Sequence, residues 1–201
     1  MPHRPAHRPY VDARTRLSGL PQDLREGFSK IEALLLDCDG VLTDGRVHVA
    51  ADGVQSLAFD VRDGSGIWLL HHAGVKVGII TGRNTGIPEI RAQSVPIDVV
   101  RSGVKKKDEC VAELLAEWGI DRQNAAFIGD DVLDGPALCA VGLPIAVADA
   151  VPDVRTLVRY VTELPGGRGA VREVADLIVE ARGQRTELLE RFFPNARGKI
   201  T

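Results

Sequence analysis

The most restrictive feature of this sequence is a series of short apolar segments that end at polar or turn-forming residues. They span residues 33–36, 75–80, 97–100, 125–128, 144–147 and 160–162. Continuous apolar strands are typical of a parallel sheet that is covered on both faces. Segments with helical periodicity lie between them, at residues 65–72, 86–93, 106–118 and 170–180. This alternation predicts an α/β fold, a doubly wound parallel sheet.

One segment, residues 41–63, does not follow the alternation. Two short stretches at 46–49 and 55–59 flank Asp52-Gly53, a dipeptide that is typical of tight hairpin turns. The segment is therefore predicted to form a β-hairpin that projects from the sheet. The hairpin, a helix and a strand use up the residues between Asp39 and Thr81, so no inserted cap domain is expected there.

Composition limits the classes of function. The 201 residues carry a formal net charge of −3, which gives no electrostatic reason to expect binding to nucleic acid or to an anionic membrane. No apolar run approaches the roughly 18 residues that span a bilayer, and the polar N-terminus does not resemble a secretory signal. Cys38, Cys110 and Cys139 are widely spaced, which favours a reducing compartment. We expect a cytoplasmic protein.

The chain divides into three parts. Residues 1–25 contain four prolines and little periodicity, so they are predicted to be a flexible N-terminal extension, with a docking arm for a partner as the alternative. Residues 30–182 hold the α/β pattern and form the main predicted domain. Residues 183–201 form a C-terminal tail whose sequence does not indicate a role.

Polar side chains follow several of the predicted strands. The carboxyl ends of parallel strands share one edge of a sheet, where ligands bind, so these side chains are expected to converge. They are Asp37 and Asp39 after the first strand, Thr81 after the second, Asp130 and Asp131 after the fourth, and Lys107 at the start of the helix after the third. Each alone is more often a turn residue, a helix cap or a solvated lysine. Their order at successive strand ends favours a functional site.

These residue types suit phosphoryl transfer. Crowded carboxylates need a cation, and oxygen ligands select a hard ion such as Mg²⁺. A carboxylate such as Asp37 can attack phosphorus and form an aspartyl-phosphate. Lys107 and Thr81 can hold the non-bridging oxygens. Asp39 lies two residues further along, on the same side if the backbone is extended, and can act as a general acid and base.

At these residues the chain resembles the haloacid dehalogenase superfamily. The first motif stands here as Asp37-Cys38-Asp39-Gly40-Val41-Leu42-Thr43. The second begins at Thr81, in Thr81-Gly82-Arg83, and the fourth reads Gly129-Asp130-Asp131-Val132-Leu133-Asp134. Lys107 is the best match to the lysine of the third motif, with Lys105 and Lys106 as alternative registers.

The resemblance implies a role for each of these residues. Asp37 is the nucleophile and a magnesium ligand, and Asp39 is the general acid/base and binds magnesium through its backbone carbonyl. Asp130 is the remaining protein ligand of the metal, and Asp131 supports the site nearby. Cys38 stands where an aliphatic residue is common, and we expect it to pack rather than to do redox chemistry.

Further segments make residues 34–182 similar to the 3-deoxy-D-manno-octulosonate 8-phosphate phosphatases. The segments are residues 39–45, 61–67, 79–83, 146–150 and 166–173. This resemblance implies a capless homotetramer of lipopolysaccharide biosynthesis that hydrolyses a phosphorylated sugar acid, with the hairpin and C-terminal segments of one subunit closing a neighbour's site. It also assigns Arg62 and Arg83, with Arg168 and Arg172 from a neighbour, to the substrate carboxylate or the loop around it. Each arginine alone could equally form a surface ion pair.

Three alternatives remain open at this point. The substrate could be a nonulosonate (sialic acid-type) 9-phosphate, since close relatives act on these compounds. The chain could also serve as the partner domain of an acylneuraminate cytidylyltransferase. A non-enzymatic alternative is a phospho-accepting module like a receiver domain, but receivers place the phosphorylated Asp on a later strand than the first.

Overall fold

A computed structural model describes residues 12–193 and contains a six-stranded parallel sheet. The strands of the molecule are β1 (Ala33–Leu36), β2 (His48–Val49), β3 (Gln55–Ser56), β4 (Lys76–Ile80), β5 (Val99–Arg101), β6 (Ala125–Gly129), β7 (Leu143–Ala146) and β8 (Tyr160–Val161). The sheet has the order β5-β4-β1-β6-β7-β8, and all of its neighbouring strands pair in parallel. The predicted doubly wound sheet is confirmed.

The sheet is stabilised by its central strands, which are apolar on both faces. Every side chain of β1 is fully buried, and β6 is buried along its whole length. Each fully buried Leu contributes about 1.5–3 kcal/mol relative to an exposed one. Continuous burial explains why these strands show no alternation of polar and apolar residues in the sequence.

Helices cover both faces of the sheet. They are α1 (Ala13–Ser18), α2 (Gln22–Ser29), α3 (Val61–His72), α4 (Ile87–Ala92), α5 (Lys107–Trp118), α6 (Gly135–Cys139), α7 (Pro152–Arg155), α8 (Ala170–Ala181) and α9 (Arg185–Phe192). The chain runs outward from β1 through β4 to β5 and then returns across the sheet to β6. Helix α3 lies in the outward β1–β4 connection and α5 in the returning β5–β6 connection. Because crossovers are right-handed, these opposite directions place α3 and α5 on opposite faces of the sheet. On one side α3 packs against α8, which also contacts α1 and α2, and on the other α5 packs against α6.

The winding order also fixes where a ligand can bind. The connections leave β1 and β6 in opposite directions, which opens a crevice between the carboxyl ends of these two neighbouring strands. Asp37 directly follows β1, and Asp130 directly follows β6. The backbone N–H of Asp37 donates to the carbonyl of Ile128 at 3.0 Å, so the nucleophile candidate is held at the mouth of this crevice.

The predicted hairpin is present but short. Strands β2 and β3 pair antiparallel through His48–Ser56 and Val49–Gln55, with residues 50–54 as the connecting loop. The side chain of Asp52 accepts a hydrogen bond from the N–H of Val54, and Gly53 has a φ of 83°. The Asp-Gly pair therefore forms the turn for which its residue types are suited.

The predicted flexible extension over residues 1–25 is wrong for residues 12–25, which form α1 and the first half of α2. Leu24 and Phe28 lie in the apolar core, and Arg16 is buried by contacts with acidic residues. The proline content concealed these helices in the sequence. Helix α1 is attached by the ion pairs of Arg16 and by Leu17, which packs against the core. Residues 1–11 and 194–201 lie outside the described range.

Within the predicted C-terminal tail, α9 buries Leu188 against the core.

Outside the hairpin, α3 and β5 are the predicted elements that begin two or more residues from their predicted starts. Helix α3 begins at Val61 rather than residue 65, because the Asp60 carboxylate caps it by accepting from the N–H of Arg62 at 2.7 Å. Strand β5 begins two residues later and ends one residue later than predicted, at Val99–Arg101. None of the helices in residues 12–193 has both the length and the apolar character needed to cross a membrane.

Candidate active site

Asp37 lies almost out of contact with solvent at the end of β1. It is 7% exposed, and Oδ1 of its carboxylate accepts a hydrogen bond from Nζ of Lys107 at 2.7 Å. Burial raises the pKa of Asp37 to about 6, with repulsion from Asp134 adding to the shift and Lys107 opposing it. A carboxylate that is desolvated but still paired with a cation is a good candidate for a nucleophile.

Lys107 connects two buried carboxylates. Its ammonium group lies 2.7 Å from Asp37 Oδ1 and 2.7 Å from Asp134 Oδ1. Burial alone would lower the pKa of Lys107, but the two carboxylates outweigh that effect and raise it. Lys106 instead pairs with Glu109 at the surface, and Lys105 is exposed. Of the three consecutive lysines, Lys107 is thus the one that reaches Asp37.

Asp134 organises the loop that follows β6. It is 1% exposed, and its Oδ2 accepts hydrogen bonds from the N–H groups of Asp130 at 2.9 Å and Asp131 at 3.4 Å. Position 129 must be a glycine, because a Cβ on this residue would lie 2.6 Å from the Cβ of Asp134. With Oδ1 bound to Lys107, both of its oxygens have partners within the protein.

Asp130 is oriented by a glycine of the first loop. Gly40 has a φ of 91°, and a Cβ at this position would lie 2.0 Å from Oδ2 of Asp130. The carboxylate therefore rests directly on the backbone that joins Asp39 to Val41. Burial raises the pKa of Asp130 to about 8, with repulsion from Asp37 the next cause.

These carboxylates fit a divalent cation. Asp37, Asp130 and Asp134 each offer an oxygen, and the three oxygens lie within 4.8 Å of one another. Oδ1 of Asp130 is buried without a hydrogen-bond partner in the described part of the chain, as expected of an oxygen that binds a metal. Oxygen ligands of this kind suit Mg²⁺, whose charge would reverse the upward pKa shifts.

Asp39 faces the same crevice and is less buried. Its side chain is 23% exposed, and its Oδ2 lies 3.6 Å from Nε of Arg83. Burial raises the pKa of Asp39, while Arg83 and then Lys107 oppose the shift. Arg83 is held from its other side, since its Nη2 donates to Oε1 of Gln55 on the hairpin at 2.6 Å. A raised carboxyl pKa suits a group that must give and take a proton.

Thr81 follows β4 and is 1% exposed. Its N–H donates to the carbonyl of Arg101, and its own carbonyl accepts from the N–H of Val104. Its hydroxyl oxygen accepts from the N–H of Arg83 at 3.2 Å. The hydroxyl group therefore lies in a rigid turn at the sheet edge that also carries Asp37 and Asp130.

Comparisons with known proteins agree with this geometry. Residues 89–171 match the model of the haloacid dehalogenase-like hydrolase family. A 3-deoxy-D-manno-octulosonate 8-phosphate phosphatase of Escherichia coli (strain B / BL21-DE3) is 41% identical over 165 residues, which are 82% of this chain and 88% of that protein. The chain belongs to the haloacid dehalogenase-like hydrolases.

Solved structures of this family give the same result. The 3-deoxy-D-manno-octulosonate 8-phosphate phosphatase of Yersinia pestis has a TM-score of 0.80 and 41% identity, covering 82% of this chain and 89% of that chain. The enzyme of Moraxella catarrhalis, in complex with magnesium, phosphate and a KDO molecule, has a TM-score of 0.83 and 31% identity, covering 86% and 99%. The prediction of a haloacid dehalogenase-type fold is confirmed.

In the fourth family motif, Asp131 lies at the surface of the loop that follows β6. Its exposed carboxylate caps the 3-10 helix Val132–Asp134 by accepting from the N–H of Val132, and its support of the site stays a prediction. Asp134 contacts Lys107 instead. The capping box between Asp131 and Asp134 is a signal that the sequence does contain, because the two acids stand three residues apart.

The four arginines that the resemblance assigns to the substrate lie in different surroundings. Arg83 is beside Asp39. Arg62 pairs with Asp60 and donates to the carbonyl of Arg168, and Arg168 itself lies 3.9 Å from Asp44. Arg172 pairs through its Nε with the buried Asp176 on its own helix. The role of Arg62, Arg83, Arg168 and Arg172 in binding substrate stays a prediction.

This chain has no second domain over the site in its described range. Between Asp39 and Thr81 it contains the hairpin, α3 and β4, and between Thr81 and Lys107 it contains α4 and β5.

Cys38, between the two aspartates of the first motif, is fully buried, and burial raises the pKa of its thiol to about 12. A thiol of that pKa is unreactive at neutral pH, as expected of a packing residue.

Proposed function

We propose that the protein is a magnesium-dependent phosphatase that hydrolyses 3-deoxy-D-manno-octulosonate 8-phosphate to the free sugar acid and phosphate. The observation that carries the proposal is the convergence of Asp37, Lys107, Asp130 and Asp134 at one sheet edge. The substrate is supported by the identity of 41% to a phosphatase of that specificity over 82% of the chain.

In the proposed mechanism Asp37 attacks the phosphorus atom and forms an aspartyl-phosphate. Lys107 and Thr81 stabilise the charge on the transferring group, and Lys107 also keeps Asp37 ionised against the effect of burial. Asp39 donates a proton to the leaving hydroxyl oxygen and then, as a carboxylate, takes a proton from the attacking water. Because the side chain of Asp39 is 23% exposed, it can exchange protons with solvent more easily than the buried Asp37.

The metal would be held by the carboxylates of Asp37 and Asp130 and by the carbonyl of Asp39. When bound, it offsets the repulsion between the carboxylates and the phosphate. Asp134 is less suited to be a ligand, because Lys107 and two backbone N–H groups already occupy its oxygens. Its proposed part is to fix the position of Lys107 and of the Asp130 backbone.

We also propose that the protein works as a homotetramer in the cytoplasm, in the pathway that makes lipopolysaccharide. Residues 12–193 contain no cap that would exclude water from the site, and a neighbouring subunit could supply one. The hairpin beside the site carries Val49 and Val54, which are 64% and 62% exposed and would be buried by such a contact. The fully buried thiol of Cys38 and the other free cysteines are compatible with a reducing compartment.

The nonulosonate 9-phosphates are the second candidate class of substrate, because they share a carboxylate and a terminal phosphate with the first. Phosphate release from each compound, measured with Mg²⁺ and with EDTA, separates the two. We expect a higher kcat/KM for the 8-phosphate, no activity in EDTA and no activity in Asp37→Asn. The proposal would be overturned if none of the acidic sugar phosphates were hydrolysed.

A further inference from the structure

A buried carboxylate on α8 has no part in the proposed chemistry, although its contacts lead towards the site. Glu173 is 1% exposed. Its Oε1 accepts hydrogen bonds from the hydroxyl of Tyr160 at 2.6 Å and from the N–H of Glu163 at 3.0 Å. Its Oε2 accepts from the N–H of Leu164 at 3.1 Å and lies 2.8 Å from Nη1 of Arg16. With both oxygens bound inside the protein, Glu173 acts by holding backbone in place.

The backbone that Glu173 holds is the start of a glycine-rich segment, residues 163–169, which we call the glycine loop. This loop lies directly on residues 37–45, the nucleophile loop. The N–H of Gly167 donates to the carbonyl of Val41 at 2.9 Å. A Cβ at Gly166 would lie 1.6 Å from the carbonyl oxygen of Gly40. The contact is therefore backbone against backbone, which leaves no side chain to absorb a shift.

A shift of the nucleophile loop would reach the proposed metal ligands. The carbonyl of Gly40 touches the glycine loop, and the α-carbon of the same residue supports the carboxylate of Asp130. Asp39 precedes Gly40 in the chain. Displacement of the glycine loop would thus alter the position of Asp39 relative to Asp130, and a misplacement of about 1 Å can reduce a rate by up to about 100-fold.

Arg16 gives Glu173 its positive partner. It belongs to α1, its side chain is 6% exposed, and its Nη2 also lies 3.1 Å from Glu163 at the start of the glycine loop. Without Arg16, Glu173 would be a buried carboxylate with no cation beside it, an arrangement that is unfavourable in a protein interior. The carboxylate would then draw in water or become protonated, and its hold on the two backbone N–H groups would weaken.

We propose that Arg16 and Glu173 are positioning residues that hold the glycine loop against the nucleophile loop, so that α1 is part of the catalytic apparatus. The kinetic test of this inference rests on the proposed function. A second test, by hydrogen exchange, does not depend on any substrate.

The exchange test compares Arg16→Met with Arg14→Ala at a temperature where both variants are folded. Arg14 is the matched control, because it lies on the same helix but pairs with Glu180 of α8 rather than with the glycine loop or Glu173. We expect the amides of Leu164 and Gly167 to exchange at least about tenfold faster in Arg16→Met and at the wild-type rate in Arg14→Ala. Wild-type exchange at both amides in Arg16→Met would overturn the inference.

The kinetic test measures phosphate release by wild type, Arg16→Met and Arg16→Lys at saturating Mg²⁺. We expect kcat to fall about 10- to 100-fold in Arg16→Met, with a smaller change in KM, and to recover largely in Arg16→Lys, which keeps the charge. A purely structural role predicts a lower melting temperature with an unchanged kcat, and that result would contradict the inference. If the wild type is inactive on every substrate, the proposed function fails and the exchange test still stands.

Discussion

Lys107→Met removes a charge that two buried carboxylates share. Nζ of Lys107 is 2.7 Å from Asp37 and from Asp134, whose side chains are 10% and 1% exposed. Removing one partner of a buried ion pair costs about 3–5 kcal/mol. For a chain of this size each kcal/mol lowers the melting temperature by about 2–4 °C, so we expect a decrease of about 6–20 °C in EDTA. Differential scanning calorimetry measures it.

The loss of thermal stability in Lys107→Met should depend on pH and on Mg²⁺. The pKa of Asp37 is already about 6 in the presence of Lys107, and removing the lysine raises it further. The folded variant then binds a proton that the unfolded chain releases near pH ~4, so its stability falls as the pH rises. Mg²⁺ should restore part of the stability by binding the folded state. It should not restore phosphate release, since loss of a charged contact to the transferring group costs about 100-fold or more in kcat.

Lys106→Met is the matched control, because Lys106 is a surface residue that pairs with Glu109. We expect it to melt like the wild type and to keep its kcat. An unchanged melting temperature for Lys107→Met in EDTA, or a wild-type kcat, would refute the reasoning about this buried cluster.

Three further results test the geometry of the site. Gly40→Ala places a Cβ 2.0 Å from Asp130 at a φ of 91°, so kcat/KM for phosphate release should fall by about 100-fold or more. Asp134→Asn should lower kcat by a similar factor, whereas Asp131→Asn should change kcat little. Equal losses in the two variants would contradict the conclusion that Asp134, rather than Asp131, holds Lys107. In EDTA, thermal stability should fall between about pH 4 and pH 8, because burial raises the pKa of Asp130 from 3.8 to about 8. The part of this slope between about pH 6 and pH 8 should disappear in Asp130→Asn, because the pKa of Asp37 is only about 6, and a slope that persists there would show that another group causes it.

The fold was predictable because its central strands, β1 and β6, are buried along their whole length. In β1 and β6 every residue is buried, so the sequence pattern and the structure agree without any knowledge of long-range contacts. The positions of Asp37, Thr81 and Asp130 then follow from strand direction, since all three residues come directly after a parallel strand.

What could not be predicted depends on contacts between distant residues. Arg16 and Glu173 are buried against each other, but each alone is typical of a solvated helix face, so α1 was missed. The choice between Asp131 and Asp134 depends on a short 3-10 turn after β6, which has no apolar periodicity. The contact between Gln55 and Arg83 likewise depends on how the hairpin folds back towards the second motif.

The central claim is that Asp37 becomes phosphorylated during turnover. Rapid acid quenching with a ³²P-labelled substrate, followed by peptide mapping, tests it directly. The substrate is p-nitrophenyl phosphate and the enzyme is Asp39→Asn. The p-nitrophenolate leaving group needs no proton from the enzyme, so Asp37 can still be phosphorylated. Hydrolysis of the aspartyl-phosphate is slowed, because the Asp39 carboxylate that would activate water is absent. We expect label on the peptide that contains Asp37, approaching about one phosphate per chain, and none in Asp37→Asn. Turnover by Asp37→Asn, or label on another residue, would contradict it.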